Sequence, residues 1–218
     1  MPDKVRVALV GAGGMANSVH YPSLVLFKDV EIVGLCDLVP EKLAATAERF
    51  HIERTFTDYR KMIEETAPQA VYVLMPPHHL FDIAMHVLNA KLDLFIEKPP
   101  GVTVEQTRQM ALRAEANGCI AMVGFNRRYI PLLRLCRDRV LQHGGPIIQA
   151  VSTFYKWHTG GQYYDGAIDI HSCDAIHAVD TLRWMGGDVV KLASDVSNQG
   201  LPFATRFNAL VQFESGGA

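Results

Sequence analysis

Along the first 125 or so positions, apolar residues come in short unbroken runs, each followed by an amphipathic stretch. "VRVALV" stops at glycine and leads into a helix-like segment from Met15 to Phe27. "VEIVGLCD" reads as a second strand, ending at Asp37, and "PEKLAATAERF" as a helix opened by proline. "DYRKMIEET" predicts a short helix, "AVYVLM" a strand, "LFDIAMHVLNA" a helix and "LDLFIE" a strand. "TVEQTRQMALRAEANG" reads as a capped helix stopped by glycine, and "CIAMVGF" as a further strand. Continuous apolar strands are buried on both faces, and their alternation with helices predicts a doubly wound parallel α/β sheet over residues 1–125.

The pattern changes after Phe125. "PLLRLCRDRVLQHGG" predicts a helix, "IIQAVSTFYKW" a long strand, and "HSCDAIHAVDTLRWMGG" a helix stopped by glycines. "VVKLASDVS" and "RFNALVQFES" read as antiparallel strands. Residues 126–218 are therefore expected to form a second, α+β domain with an open, mainly antiparallel sheet. The chain stops directly after a strand, which would leave an unpaired edge. The second domain is expected to be incomplete, or to have its edge covered by a partner chain.

Composition narrows the function classes. The 218 residues are 49% apolar with a formal net charge of −2, so neither a nucleic-acid footprint nor a basic membrane patch is expected. Val5–Val10 is too short for a signal peptide or a membrane span. Cys36, Cys119, Cys136 and Cys173 lie far apart with no paired spacing, which fits a reducing compartment. A cytoplasmic protein is expected.

Two stretches carry candidate chemistry. "GAGGMA" places Gly11, Gly13 and Ala16 in the G-x-G-x-x-A pattern between a strand and a helix, with Gly14 and Met15 in the same turn. The first glycine permits the tight turn, the second lets a pyrophosphate approach the backbone, and the small third residue lets the helix pack closely. Asp37, ending the next strand, would accept hydrogen bonds from both ribose hydroxyls and repel a 2′-phosphate. Leu38 follows where an arginine would have served NADP, so NAD is expected over NADP. The alternative is a plain glycine turn with Asp37 capping the next helix. The second stretch, "LDLFIEKPPGVT", ends a strand in Glu97, Lys98 and two prolines. Ligands of doubly wound sheets sit at the carboxyl ends of the strands, so both charges would face the cofactor, with Lys98 held by a rigid turn. A surface ion pair with a proline stop explains the same spacing.

"GAGGMA", Asp37, "EKP", "VGFNRRY" and "DAIHAVDTLRWMGG" occur in this order in the Gfo/Idh/MocA oxidoreductases, and the chain resembles that family over nearly its whole length. The resemblance implies a nicotinamide-binding Rossmann domain followed by an α/β domain whose open sheet commonly builds a homo-oligomer. It also implies hydride transfer at a hydroxyl-bearing carbon of a sugar, polyol or related small molecule. On the matching positions, Lys98 is the lysine contacting nicotinamide ribose and substrate, and His177 is the proton acceptor or donor. The chain departs from the family in three ways. Cys173 stands where an aspartate often precedes the histidine, leaving Asp174 as the candidate helper. Met75, Pro76 and Pro77 replace a threonine–proline–asparagine segment. Strands that would complete the second sheet are expected to be absent.

Other residues offer further candidates. His79, with His78, would touch the cofactor or be an ordinary loop histidine. Asn126 and Arg127 would touch nicotinamide or substrate, or form a solvated patch. Tyr155, Trp157 and His158 would stack on a sugar ring, or be buried at a subunit interface. The cluster Asp169, His171, Cys173, Asp174, His177 and Asp180 invites a metal, but its helical positions do not converge, and an acid–base pair is the expectation, with no metal. Two rivals to a dehydrogenase remain: an NAD-binding sensor or subunit, and an enzyme that oxidises its substrate only transiently.

Overall fold

The computed structural model describes residues 4–157 and 162–218, and the chain divides into two compact units, Met1–Gly124 and Phe125–Ala218. In the first unit, six strands form one parallel sheet: β1 Val5–Val10, β2 Val30–Cys36, β3 Thr55–Phe56, β4 Ala70–Val73, β5 Asp93–Ile96 and β6 Ala121–Val123. Their order is β3-β2-β1-β4-β5-β6, the doubly wound order with its reversal between β1 and β4. Both faces are covered. Ala8 and Val10 of β1 join one apolar cluster, while Val7 and Leu9 join the other, so the continuous apolar run reflects burial on two sides.

The connecting helices follow the expected signals. The helical segment after the glycine turn is a wide π turn, Ala16–His20, followed by the short helix α1, Tyr21–Leu24. Pro22 has no N–H to give and interrupts the i→i−4 ladder there. Helix α2, Pro40–Phe50, opens on a proline, and α3, Tyr59–Thr66, is capped by Asp58, whose side chain accepts the Arg60 N–H. Helix α4, Pro77–Asn89, starts three residues earlier than the apolar pattern suggests, because a proline suits a first helical position. In α5, Val104–Asn117, Thr103 caps the start and Gly118 ends the helix in the left-handed region.

Register fixes where chemistry can sit. Val10 pairs with Cys36 and Val73, Val73 with Ile96, and Ile96 with Val123. The next residue on each strand is therefore Gly11, Asp37, Leu74, Glu97 or Gly124, and these five stand along one edge of the sheet, at its carboxyl end.

The second unit begins with a 3-10 turn, Asn126–Tyr129, and helix α6, Pro131–Gly144. A π turn, His171–Ala175, runs into helix α7, Ile176–Gly186. Strands β7, Val189–Ser197, and β8, Arg206–Phe213, pair antiparallel as a two-stranded sheet. The expected strand "IIQAVSTFYKW" is not one. Among the described residues its backbone bonds are Ala150 N–H to the Ala218 carbonyl (2.8 Å) and Ala218 N–H to the Ile148 carbonyl (3.1 Å), and no ladder continues through Trp157. A strand needs a partner edge as well as β-forming residues, and among the described residues no strand edge pairs along this segment.

Candidate active site

In the first unit, Gly11 makes the turn out of β1 with φ of +105°, and a Cβ there would collide with the Leu74 carbonyl and press on the Met75 sulfur. Only glycine passes. At Gly13 and Gly14 a Cβ would meet nothing within 4 Å. Packing within the chain does not demand glycine at these two positions, and the room beside them suits a ligand brought close to the backbone. The turn is braced from behind. The Asn17 amide donates to the carbonyls of Ala12 (3.0 Å) and Gly13 (3.1 Å), and it bonds the Thr46 hydroxyl. The buried Tyr21 hydroxyl donates to the Gly11 carbonyl, and burial, then Asp37 and Cys36, push its pKa up.

Asp37 reaches across from β2 to this turn. Its Oδ2 accepts the Ala12 N–H at 2.6 Å and its Oδ1 the Val39 N–H at 2.8 Å. A carboxylate has about four acceptor positions, so ribose hydroxyls can still be accommodated. Beside Asp37, burial first, and then the charges of Asp37 and Asp58, push the Cys36 thiol up to about 12. Met15 is half exposed; Met75 and Pro76 are partly buried, and Pro77 is buried at the start of α4. His79 lies exposed in the first turn of α4, its ring beside that of His78 at 4.0 Å between centroids. Burial first, and then His79, lower the His78 pKa.

At the end of β5, Glu97 and Lys98 are partly buried, and the Lys98–Pro99 peptide is cis. Glu97 pairs with His20, a residue that no sequence motif singled out. Their side chains meet at 2.7 Å, and the other Glu97 oxygen accepts the Lys98 N–H at 3.0 Å. Two residues so distant in sequence could be linked only once the sheet order was known.

In the second unit, Asn126, Arg127 and His177 come together around a hollow of about 500 Å³ completed by Tyr129, Ile130 and Pro131. Arg127 and His177 also border a second hollow of about 520 Å³ with a largely apolar wall, including Leu133, Phe154 and Met185. Asp180 holds Arg128 in a two-pronged ion pair, which raises the arginine pKa through that hydrogen bond. The buried Asp174 binds Lys156 (2.7 Å) and the Tyr163 hydroxyl (2.6 Å), and Lys156 also donates to Tyr163. Burial opposes the Lys156 charge, but these two partners outweigh it and leave its pKa raised. Burial first, and then the bond to Asp174, raise that of Tyr163. Neither Lys156 nor Tyr163 has a spacing signal in the sequence; they belong to an aromatic loop whose pairings only the fold reveals. Tyr155 and Trp157 are about nine-tenths exposed, at 91% and 90%, and His158 lies outside the described residues. Among the described residues, no three His, Cys, Asp or Glu side chains converge as metal ligands, and no helix is long and apolar enough to cross a membrane.

Comparison with known proteins bears on this arrangement. The family described as "Oxidoreductase family, NAD-binding Rossmann fold" matches residues 5–125. D-glucoside 3-dehydrogenase of Escherichia coli is 29% identical over 136 residues, which are 62% of this chain and 39% of that protein. Inositol 2-dehydrogenase of Salmonella typhimurium is 30% identical over 57% of this chain and 38% of its own length. The chain thus spans about two-fifths of these two relatives. The WlbA dehydrogenase of Bordetella pertussis, solved with NADH and UDP-GlcNAcA, superposes with a TM-score of 0.84 at 22% identity, covering 100% of this chain and 66% of that one. That likeness shows the shared fold.

Proposed function

The chain belongs to the Gfo/Idh/MocA oxidoreductases, whose NAD-binding Rossmann fold occupies its first unit, and from that premise we propose an NAD-dependent oxidoreductase acting on a hydroxyl-bearing carbon of a sugar or polyol. The observation that carries the reading is the glycine turn at the sheet's reversal point. Gly13 and Gly14 face open space there, and Asp37 is bonded back to Ala12. Gly11, Gly13, Gly14 and Met15 would hold the pyrophosphate at the helix start, with Asp37 on the adenosine ribose. Met75, Pro76, Pro77 and His79 would line the cofactor beside β4, with Glu97 and Lys98 beside β5 and Asn126 and Arg127 on the nicotinamide side.

NAD supplies the hydride acceptor. The chain's own residues would manage the proton and the charge: in this proposal His177 would take the hydroxyl proton, and the Lys98 ammonium would stabilise the alkoxide as it forms. Asp174 would orient this chemistry from within its bonds to Lys156 and Tyr163. Tyr155, Trp157 and His158 would contribute to substrate binding. The relatives named as glucoside and inositol dehydrogenases support the substrate class. A homo-oligomer built on β7 and β8 is part of the proposal, since Val190, Leu192, Val196 and Leu210 stand exposed on that sheet. A cytoplasmic location accords with four free cysteines.

The test is NADH production across a panel of polyols and sugars. Lys98→Met should lower turnover about 100-fold or more while NADH still binds. Cofactor binding with no turnover on any substrate would favour the sensor reading, for which the replacement of the usual aspartate by Cys173 is the motive.

A further inference from the structure

The His20–Glu97 pair joins two parts of the first unit that chemistry must keep in register. His20 closes the π turn that follows the glycine loop, and Glu97 immediately precedes Lys98. The imidazole Nε2 meets Glu97 Oε1 at 2.7 Å, with only 13% and 19% of the two side chains exposed. The ring cannot easily turn away. Phe95 packs against it edge-on at 5.4 Å between centroids, and Tyr72 at 6.4 Å. Gly124 leaves room for the carboxylate, since a Cβ there would lie 3.1 Å from Glu97 Oε1. The second carboxylate oxygen takes the Lys98 N–H at 3.0 Å.

The geometry points to His20 as a positioning residue: through Glu97 it holds the Lys98 turn at a fixed place relative to the glycine turn. This rests on the NAD-oxidoreductase reading and adds a residue that neither the glycine pattern nor the E-K-P stretch includes. The glycine turn receives the pyrophosphate, and Lys98 serves the nicotinamide end. Glu97 commits one oxygen to each side, so its orientation transmits the position of the first helical turn to the lysine. With His20 removed, Oε1 loses a partly buried partner and the carboxylate can swing, taking the Lys98 backbone with it. The adenosine end, held by Gly11–Gly14 and Asp37, makes no use of this link.

That asymmetry supplies the test. Calorimetric titrations with NADH and with ADP would be run on the full chain as wild type, His20→Phe, His20→Gln, Glu97→Gln and the His20→Phe/Glu97→Gln double variant, with thermal unfolding alongside. His20→Phe should weaken NADH by about 3- to 10-fold, the worth of one net hydrogen bond, and leave ADP within about twofold. His20→Gln, which keeps a donor, should recover most of the loss. The double variant should bind NADH no worse than the weaker single variant, because both act through one contact. Equal losses for NADH and ADP, or additive losses in the double variant, would mean general structural damage and would overturn the inference. Unchanged NADH binding by a folded His20→Phe would overturn it while leaving the NAD reading intact. A wild-type protein that binds neither ligand would instead bring down the NAD reading and this inference with it.

Discussion

Asp37 shows how much one side chain can carry. It closes the glycine turn through the Ala12 N–H, fixes the start of α2 through Val39, and presents its remaining acceptor capacity at the carboxyl end of β2. Replacing it with asparagine preserves shape but removes the charge that, in the proposed cofactor site, would repel a 2′-phosphate and strengthen bonds to ribose. Asp37→Asn should weaken NAD about tenfold and narrow its advantage over NADP, as read by paired titrations; an unchanged preference would remove Asp37 from cofactor selection. Gly11 is equally constrained for a different reason, since its backbone conformation and the Leu74 carbonyl both exclude a side chain. These residues were legible in the sequence because their roles are local: a turn, a strand end, a helix start. His20 was not, because its partner Glu97 lies 77 residues away in the chain; Lys156 and Tyr163 were not, because nothing in their spacing foretells that the fold brings both onto Asp174. Asp174 was legible only as a carboxylate near His177, and its bonds to Lys156 and Tyr163 needed the fold.

At the scale of elements, the parallel strands were readable from their unbroken apolar runs, and the glycine and proline signals marked most helix ends. Strand β3 escaped because two residues, Thr55 and Phe56, make no periodic pattern. The segment through Tyr155 and Trp157 misled in the opposite direction, since its alternation reads as a strand although no neighbouring edge pairs along it. In the second unit, where few side chains are buried, the Arg128–Asp180 pair ties the 3-10 turn to α7. Asp180 has only 8% of its side chain exposed, so losing its partner strands a buried carboxylate. Arg128→Met should cost about 2–3 kcal/mol in unfolding free energy, measured by denaturant titration. A loss below about 0.5 kcal/mol would show the pair to be an ordinary surface contact. Because the pair and His177 share this part of the chain, the same variant should also blunt turnover.

For the molecule as a whole, the titratable groups with raised pKa set a direction for its response to pH. The Cys36 thiol moves from 9.0 to about 12, and Lys156 and Tyr163 also lie above their ordinary values. Each holds its proton more tightly folded than unfolded. Their contribution is complete below the unfolded pKa and is lost as pH rises through the folded one. Stability should stay level from neutral pH to about 9 and then decline toward about 12. Denaturant midpoints at several alkaline pH values check this, and a midpoint constant up to pH 11 or so would contradict it. The chain covers only part of its relatives' length, so the central question is whether the 218 residues bind the cofactor that their first unit is shaped for. Titration calorimetry with NAD and NADP answers it most directly, run beside a measurement that the protein is folded. Micromolar NAD binding with NADP much weaker is the predicted result, and no binding of either cofactor by the folded protein would contradict the account.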